Sequence, residues 1–189
     1  MTSFEEHLKI EISSGVMRLT INRPQKLNVL TPDIYRRIGD AVLSAQNDDA
    51  EQVIVLCGAR RAFSAGFDLK IEVSDTNHAA KIDNLQNGAN RTRWLIWDSV
   101  KPVVAAIHGY CLVGAFELTM PCGLTIAAKS TILGEPEILF GSGAAFMMER
   151  LLGRNLLGVT TMPPRPIRSR GISHNYKSTS HRRDIHGNA

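Results

Sequence analysis

Apolar and polar residues alternate twice within the first 22 positions, in LKIEI and, after Ser13-Ser14-Gly15, in VMRLTIN. This period of two predicts a pair of strands joined by a tight turn. NRPQKLNVL breaks the pattern as a loop. Thr31-Pro32 is a helix start, a capping residue with proline at the first helical position. Ile34, Ile38, Val42 and Ala45 then recur on one helical face as far as the polar stop NDDAE. VIVLC (53–57) is a short unbroken apolar run, the pattern of a strand buried on both faces, and the loop GARRAFSAGFDLK follows it. Residues 79–98 predict a helix burying Ile82, Leu85, Ala89 and Leu95, weakened in its middle by Gly88. Pro102 introduces a further buried strand, VVAAI. Strands and helices alternating in this way predict an α/β fold with parallel pairing, and no internal repeat is visible.

Composition adds little to this picture and charge adds one thing. With 189 residues, 43% of them hydrophobic, the chain has the makings of one ordinary globular core. The net charge of +4 is unevenly spread: residues 160–189 hold six Lys or Arg against Asp184 alone, so residues 1–159 carry −1. The body therefore has no electrostatic footprint for nucleic acid, and no specific nucleic-acid partner is expected. The tail has almost no large apolar side chains, which predicts a core over residues 1–153 and a basic, polar, disordered segment over 154–189. The apolar stretch from Val103 to Met120 is interrupted by His108, Gly109, Gly114 and Glu117, so no membrane span is expected. The N-terminus reads neither as a secretory signal nor as a transit peptide. Cys57, Cys111 and Cys122 lie in apolar surroundings without C-x-x-C spacing, as buried reduced thiols of a cytoplasmic protein would.

The candidate chemistry centres on HGYCLVGAFELTMPCGLTIAA (108–128), an apolar stretch holding a single acid, Glu117. A carboxylate in such company is costly to bury unless it is paired or its pKa is shifted. Two glycine turns, Ala65-Gly66-Phe67 and Leu112-Val113-Gly114, follow strand-like segments and would offer backbone amides to negative charge. Glu117 lies one turn beyond the second. A further acid, Glu137, follows Pro136 in GEPEILFG. Glu117 and Glu137 brought to one pocket would form an acid/base pair. The same residues also fit a plainer arrangement, with Glu135 and Glu137 solvated in a loop and Glu117 capping its own helix, and spacing alone does not decide. AFSAG lacks the first glycine of a serine-nucleophile elbow, having Ala62 there, which argues against a hydrolase. His108 fits a packed residue at a strand end.

INRPQKLNVL, RAFSAGFDLK, KPVVAAIHGYCLVGAFELTMPC and GEPEILFG, in this order and at these intervals, resemble the crotonase family, the enoyl-CoA hydratase/isomerase superfamily, over about residues 8–141. The resemblance implies a crotonase-like spiral of ββα units. It implies an enoyl-CoA hydratase that adds water across the α,β-double bond of a 2-enoyl-CoA. The Phe67 and Gly114 amides would form an oxyanion hole at the thioester oxygen. Residues matching Glu117 and Glu137 hold the water; the first helps take its proton and the second delivers a proton to the α-carbon. Lys26, Leu27, Asn28, Ala65, Gly66, Asp68, Leu69 and Lys70 would line the coenzyme A path. No metal or separate cofactor is implied, coenzyme A arriving as part of the acyl-CoA thioester, and the assembly implied is a homo-trimer or hexamer. The chain departs from the family's pattern where Val113 and Ala115 flank Gly114 in place of a glycine run, and where Gly123 stands for an aspartate. The resemblance also fades after Gly141, so the chain is expected to be a crotonase core with a truncated or altered C-terminus, its C-terminal helical segment missing. The alternatives are a weak or silent crotonase scaffold, or a sister reaction such as enoyl-CoA isomerisation.

Overall fold

The structure, a computed structural model, describes residues 7–68, 70, 84–136 and 167–168. β1 (Leu8–Ser13) and β2 (Val16–Ile21) form the expected hairpin, paired antiparallel from Leu8 opposite Ile21 to Ser13 opposite Val16. Ser14 and Gly15 both have positive φ, the turn whose twist suits a two-residue hairpin loop. β3 (Val53–Gly58), β4 (Val103–Ile107) and β6 (Leu124–Ala127) then add in parallel, giving one five-stranded sheet in the order β1-β2-β3-β4-β6.

α1 (Pro32–Gln46) starts where the sequence places it, with the Thr31 hydroxyl accepting from the Ile34 amide at 3.2 Å. Its stripe of Ile34, Ile38, Val42 and Ala45 is fully buried and joins one core with Met17, Leu19, Ile21, Ile54, Leu56, Val103, Ala105 and Ile107. Those strand residues share a face because strand side chains alternate, and the register aligns Leu19, Leu56 and Ala105 in one row. The other face differs from expectation. Val55 and Cys57 are only half-buried, and Leu124 and Ile126 are exposed, so among the described residues the sheet is fully covered on one side alone. Ile10 and Ile12 of β1 are likewise exposed at the sheet's far edge, although their alternation suggested burial.

A wide π-type turn (Asn84–Asn90) leads into α2 (Arg91–Trp97). Ala89 of the turn and Thr92, Arg93 and Ile96 of α2 are buried, while Leu95 is only partly buried; Ile82 and the Leu85 side chain lie outside the described residues. After β4 the chain turns at Gly109 and forms β5 (Tyr110–Leu112), which pairs in parallel with β7 (Ile132–Gly134) in a second sheet. A two-residue strand, β8 (Ile167–Arg168), pairs antiparallel with β7; the rest of residues 154–189 lies outside the described residues. α3 (Gly114–Thr119) follows β5 and is buried along its whole length. No helix among the described residues is long and apolar enough to cross a membrane.

Candidate active site

Three chain segments meet at the start of α3. The loop 22–30 is tied by Arg23, whose guanidinium donates to Asp68 at 2.9 Å and to the Val29 carbonyl at 3.0 Å. The Asn28 amide group donates to the carbonyls of Ala59 and Ala62, and its side-chain oxygen accepts from the Arg23 amide. Backbone bonds from Ala65 to Leu27 and from Leu30 to Gly66 lay this loop beside the turn at Gly66. Ser64 bridges onward to Cys111 of β5, so the two glycine turns stand face to face. A Cβ added at Gly66 would lie 2.7 Å from the Val113 Cβ, and one at Gly114 would lie 2.5 Å from the Phe67 ring and 2.7 Å from the Tyr35 hydroxyl. Glycine is required at both places by contact, and at Gly66 by a φ of 102° as well.

Neither the Phe67 nor the Gly114 amide donates a hydrogen bond to a described residue. The Gly114 amide lies at a helix start, an electropositive place, and the Phe67 side chain packs against it. Glu117, 7% exposed, stands one turn along the same helix and forms an ion pair with Arg93 of α2, itself 1% exposed. Arg93 also donates to the Asn90 side-chain oxygen at 2.8 Å and lies over the Tyr35 ring, 5.7 Å from its centroid. The Tyr35 hydroxyl donates to the Gly114 carbonyl at 2.8 Å, and its ring packs on Phe67 with centroids 5.6 Å apart. Burial pushes the Tyr35 hydroxyl far above its ordinary pKa; Arg93 opposes this, while Glu117 and Glu135 add to it. Glu135, just after β7, is thus a buried acid close to this cluster and not the solvated loop acid of the plainer reading.

The residues picked from the sequence divide accordingly. Phe67, Gly114 and Glu117 are brought together, with Ala65 and Gly66 in the adjoining turn. Glu137 and Leu69 lie outside the described residues. Lys26 and Lys70 are exposed, and Leu27 is half-buried. Two of the residues expected along the coenzyme A path, Asn28 and Asp68, turn their side chains to internal partners. Asn28 is 0% exposed and fully engaged as a brace, and Asp68 is buried against Arg23. Burial pushes the Asp68 carboxyl up, but the Arg23 hydrogen bond and charge, with Lys26 at 3.7 Å, outweigh it and hold the carboxyl below its usual range. His108 meets the Arg60 carbonyl at 2.7 Å, as a packed strand-end residue does. Burial pushes the Cys111 thiol well up and Cys122 to about 12, so neither is a ready nucleophile. Sequence reasoning missed Arg93, Tyr35 and Glu135; the one signal for Arg93 is its helical register with Ala89 and Ile96.

Residues 11–161 match the profile of the enoyl-CoA hydratase/isomerase family. The chain belongs to that family. It is 32% identical over 137 residues to the hydroxycinnamoyl-CoA hydratase-lyase of Pseudomonas fluorescens, covering 71% of this chain and 50% of that protein. It is 31% identical over 153 residues to the short-chain-enoyl-CoA hydratase of Clostridium acetobutylicum, covering 78% of this chain and 58% of that protein. The chain thus spans between half and three-fifths of the length of these relatives. Among solved structures, an enoyl-CoA hydratase/isomerase from Xanthobacter autotrophicus superposes with a TM-score of 0.78 at 30% identity, covering 89% of this chain and 64% of that one. A crotonase-type structure from Legionella pneumophila gives a TM-score of 0.83 at 24% identity over 90% of this chain and 67% of that one, a likeness of fold. The fold is the crotonase fold.

Proposed function

We propose that this family member hydrates 2-enoyl-CoA thioesters, with Glu117 as the proton acceptor and the Phe67 and Gly114 amides as donors to the thioester oxygen. The observation that carries the reading is one buried carboxylate beside two amides with no described partner, at a helix start that two packed glycine turns hold open. In the proposed step, water bonds to the β-carbon while Glu117 takes its proton. The double-bond electrons move onto the thioester oxygen, where the two amides stabilise the enolate. A proton then reaches the α-carbon, which the family resemblance assigns to Glu137. Donors fixed in advance favour charge that exists only in the transition state, and each such donor is typically worth ~3 kcal/mol. Free thiols at all three cysteines fit the cytoplasmic setting we propose. A trimeric or hexameric assembly is the expectation carried by the resemblance.

Crotonyl-CoA hydration, followed through loss of the conjugated thioester absorbance, tests the reading. Glu117→Gln should lower turnover ~10²–10⁴-fold, the usual contribution of a general acid or base. Turnover at the wild-type rate in that variant would remove Glu117 from the chemistry. Enoyl-CoA isomerisation without hydration would point to the sister reaction.

A further inference from the structure

The proposed proton transfer employs Glu117 but leaves unexplained why a guanidinium is buried against it. Arg93 stands with Thr92 and Ile96 on the buried side of its helix, where a leucine would pack without taking a charge out of water. Burying an ion is costly unless good geometry offsets the lost hydration. Here the geometry is built from several sides. One guanidinium nitrogen reaches Oε2 of Glu117, the other terminal nitrogen reaches Asn90, and the Tyr35 ring lies beneath the group. Tyr35 also holds the Gly114 carbonyl through its hydroxyl. One aromatic residue of α1 therefore braces both the cation that meets Glu117 and the first residue of α3.

We propose that Arg93 is a positioning residue for Glu117, keeping its carboxylate ionised and in one orientation beside the Gly114 turn. The inference rests on the proton-acceptor role proposed above and deepens it. Among the described residues, the groups near the pair include Tyr35 from α1, Asn90 just before α2, and Glu135 after β7. Tyr35 is neutral at working pH, Asn90 carries no charge, and Glu135 is a second acid, so among these groups Arg93 supplies the positive charge. Without it, burial would drive Glu117 towards its protonated form, which accepts no proton. With it, the negative charge of Glu117 has an opposite charge in direct contact. The ion pair favours the carboxylate as the resting form of Glu117, and the carboxylate is the form that can accept a proton.

The test is a titration joined to kinetics. Glutamate labelled with ¹³C at the side-chain carboxyl is incorporated into wild type, Arg93→Met and Arg93→Lys, and the Glu117 signal is assigned by its loss in Glu117→Gln. The Glu117 titration should rise by at least about one pH unit in Arg93→Met and be largely restored in Arg93→Lys, because an opposite charge at this distance moves a carboxyl by that order. In crotonyl-CoA hydration, Arg93→Met should lose about 100-fold in kcat, as displaced catalytic groups do. Its KM should hardly change, and the acid limb of its pH profile should move up with the titration. A Glu117 titration that does not move in Arg93→Met overturns the inference, whatever the turnover. A wild type that hydrates nothing while the Arg93-dependent shift is present overturns the hydratase reading and leaves the coupling of the two residues standing. If Arg93→Met does not fold, Arg93→Met/Glu117→Gln removes both charges and should recover a cooperative melt. Failure of the double variant to recover would overturn an electrostatic role for position 93.

Discussion

Val113 is where a single residue bears most on the site. Its φ of 55° with ψ of −135° is a conformation that suits glycine and that a β-branched side chain rarely adopts. Three contacts hold it there: its amide donates to the Gly134 carbonyl at 2.9 Å, its carbonyl accepts from the Glu117 amide at 3.1 Å, and its side chain packs on Gly66. The glycine run that the family resemblance leads one to expect thus has a local reason, and this chain meets the same turn with strain. Such a conformation costs ~1–3 kcal/mol, and glycine gives back ~0.5–1 kcal/mol through unfolded-state freedom. Val113→Gly should therefore raise stability by about 1 kcal/mol in urea unfolding while keeping both turn amides in place. Destabilisation of that size would mean that the isopropyl contact with Gly66 outweighs the strain.

At the scale of elements, the loops that frame the site are held by the buried Arg23–Asp68 pair, and its pH dependence has a definite sign. The folded-state pKa of Asp68 lies below its unfolded value, so its stabilisation is complete above about pH 4 and is lost as pH falls through the folded value. Asp68→Asn breaks a buried pair and should cost ~3–5 kcal/mol at pH 7. The gap from wild type should close as urea midpoints are followed below about pH 4. A gap that stays constant with pH would mean that Asp68 acts through packing alone. How legible each element was in the sequence follows from the same physics. α1 could be read because its cap, proline and apolar stripe agree. α2 could be read only in part: its buried face runs through Ala89, Arg93 and Ile96, and residue type argued for Leu95 over an arginine that stood in register. Charged side chains are almost never fully buried without a partner, and Arg93's partner lies 24 positions along the chain. Glu117 was legible as an acid out of place; what holds it was not. Asn28 gives no sign in the sequence of its bracing role, because its three hydrogen bonds reach both along its own loop and to the segment 59–62.

The whole molecule sets these local devices on a sheet whose two faces differ. α1 and the strand residues facing it make one continuous core, and the register fixes which residues remain on the other side: Val55, Val104 and Ala106 in the middle, Leu124 and Ile126 on β6. Leu124 is 54% exposed and Ile126 57%, and β6 is the last strand of its sheet with no described strand on its outer edge. An aliphatic edge strand is a template for unwanted pairing, and natural proteins commonly blunt such edges with lysine. Ile126→Lys should therefore slow heat-induced aggregation, read by light scattering at several protein concentrations. Its unfolding free energy should stay within about 0.5 kcal/mol of wild type, because an exposed side chain contributes little to the core. Light scattering unchanged by the lysine would show that the β6 edge does not drive association. A large loss of stability would instead show that Ile126 is covered in solution, and the side of the sheet opposite α1 would then have to be counted as part of the core.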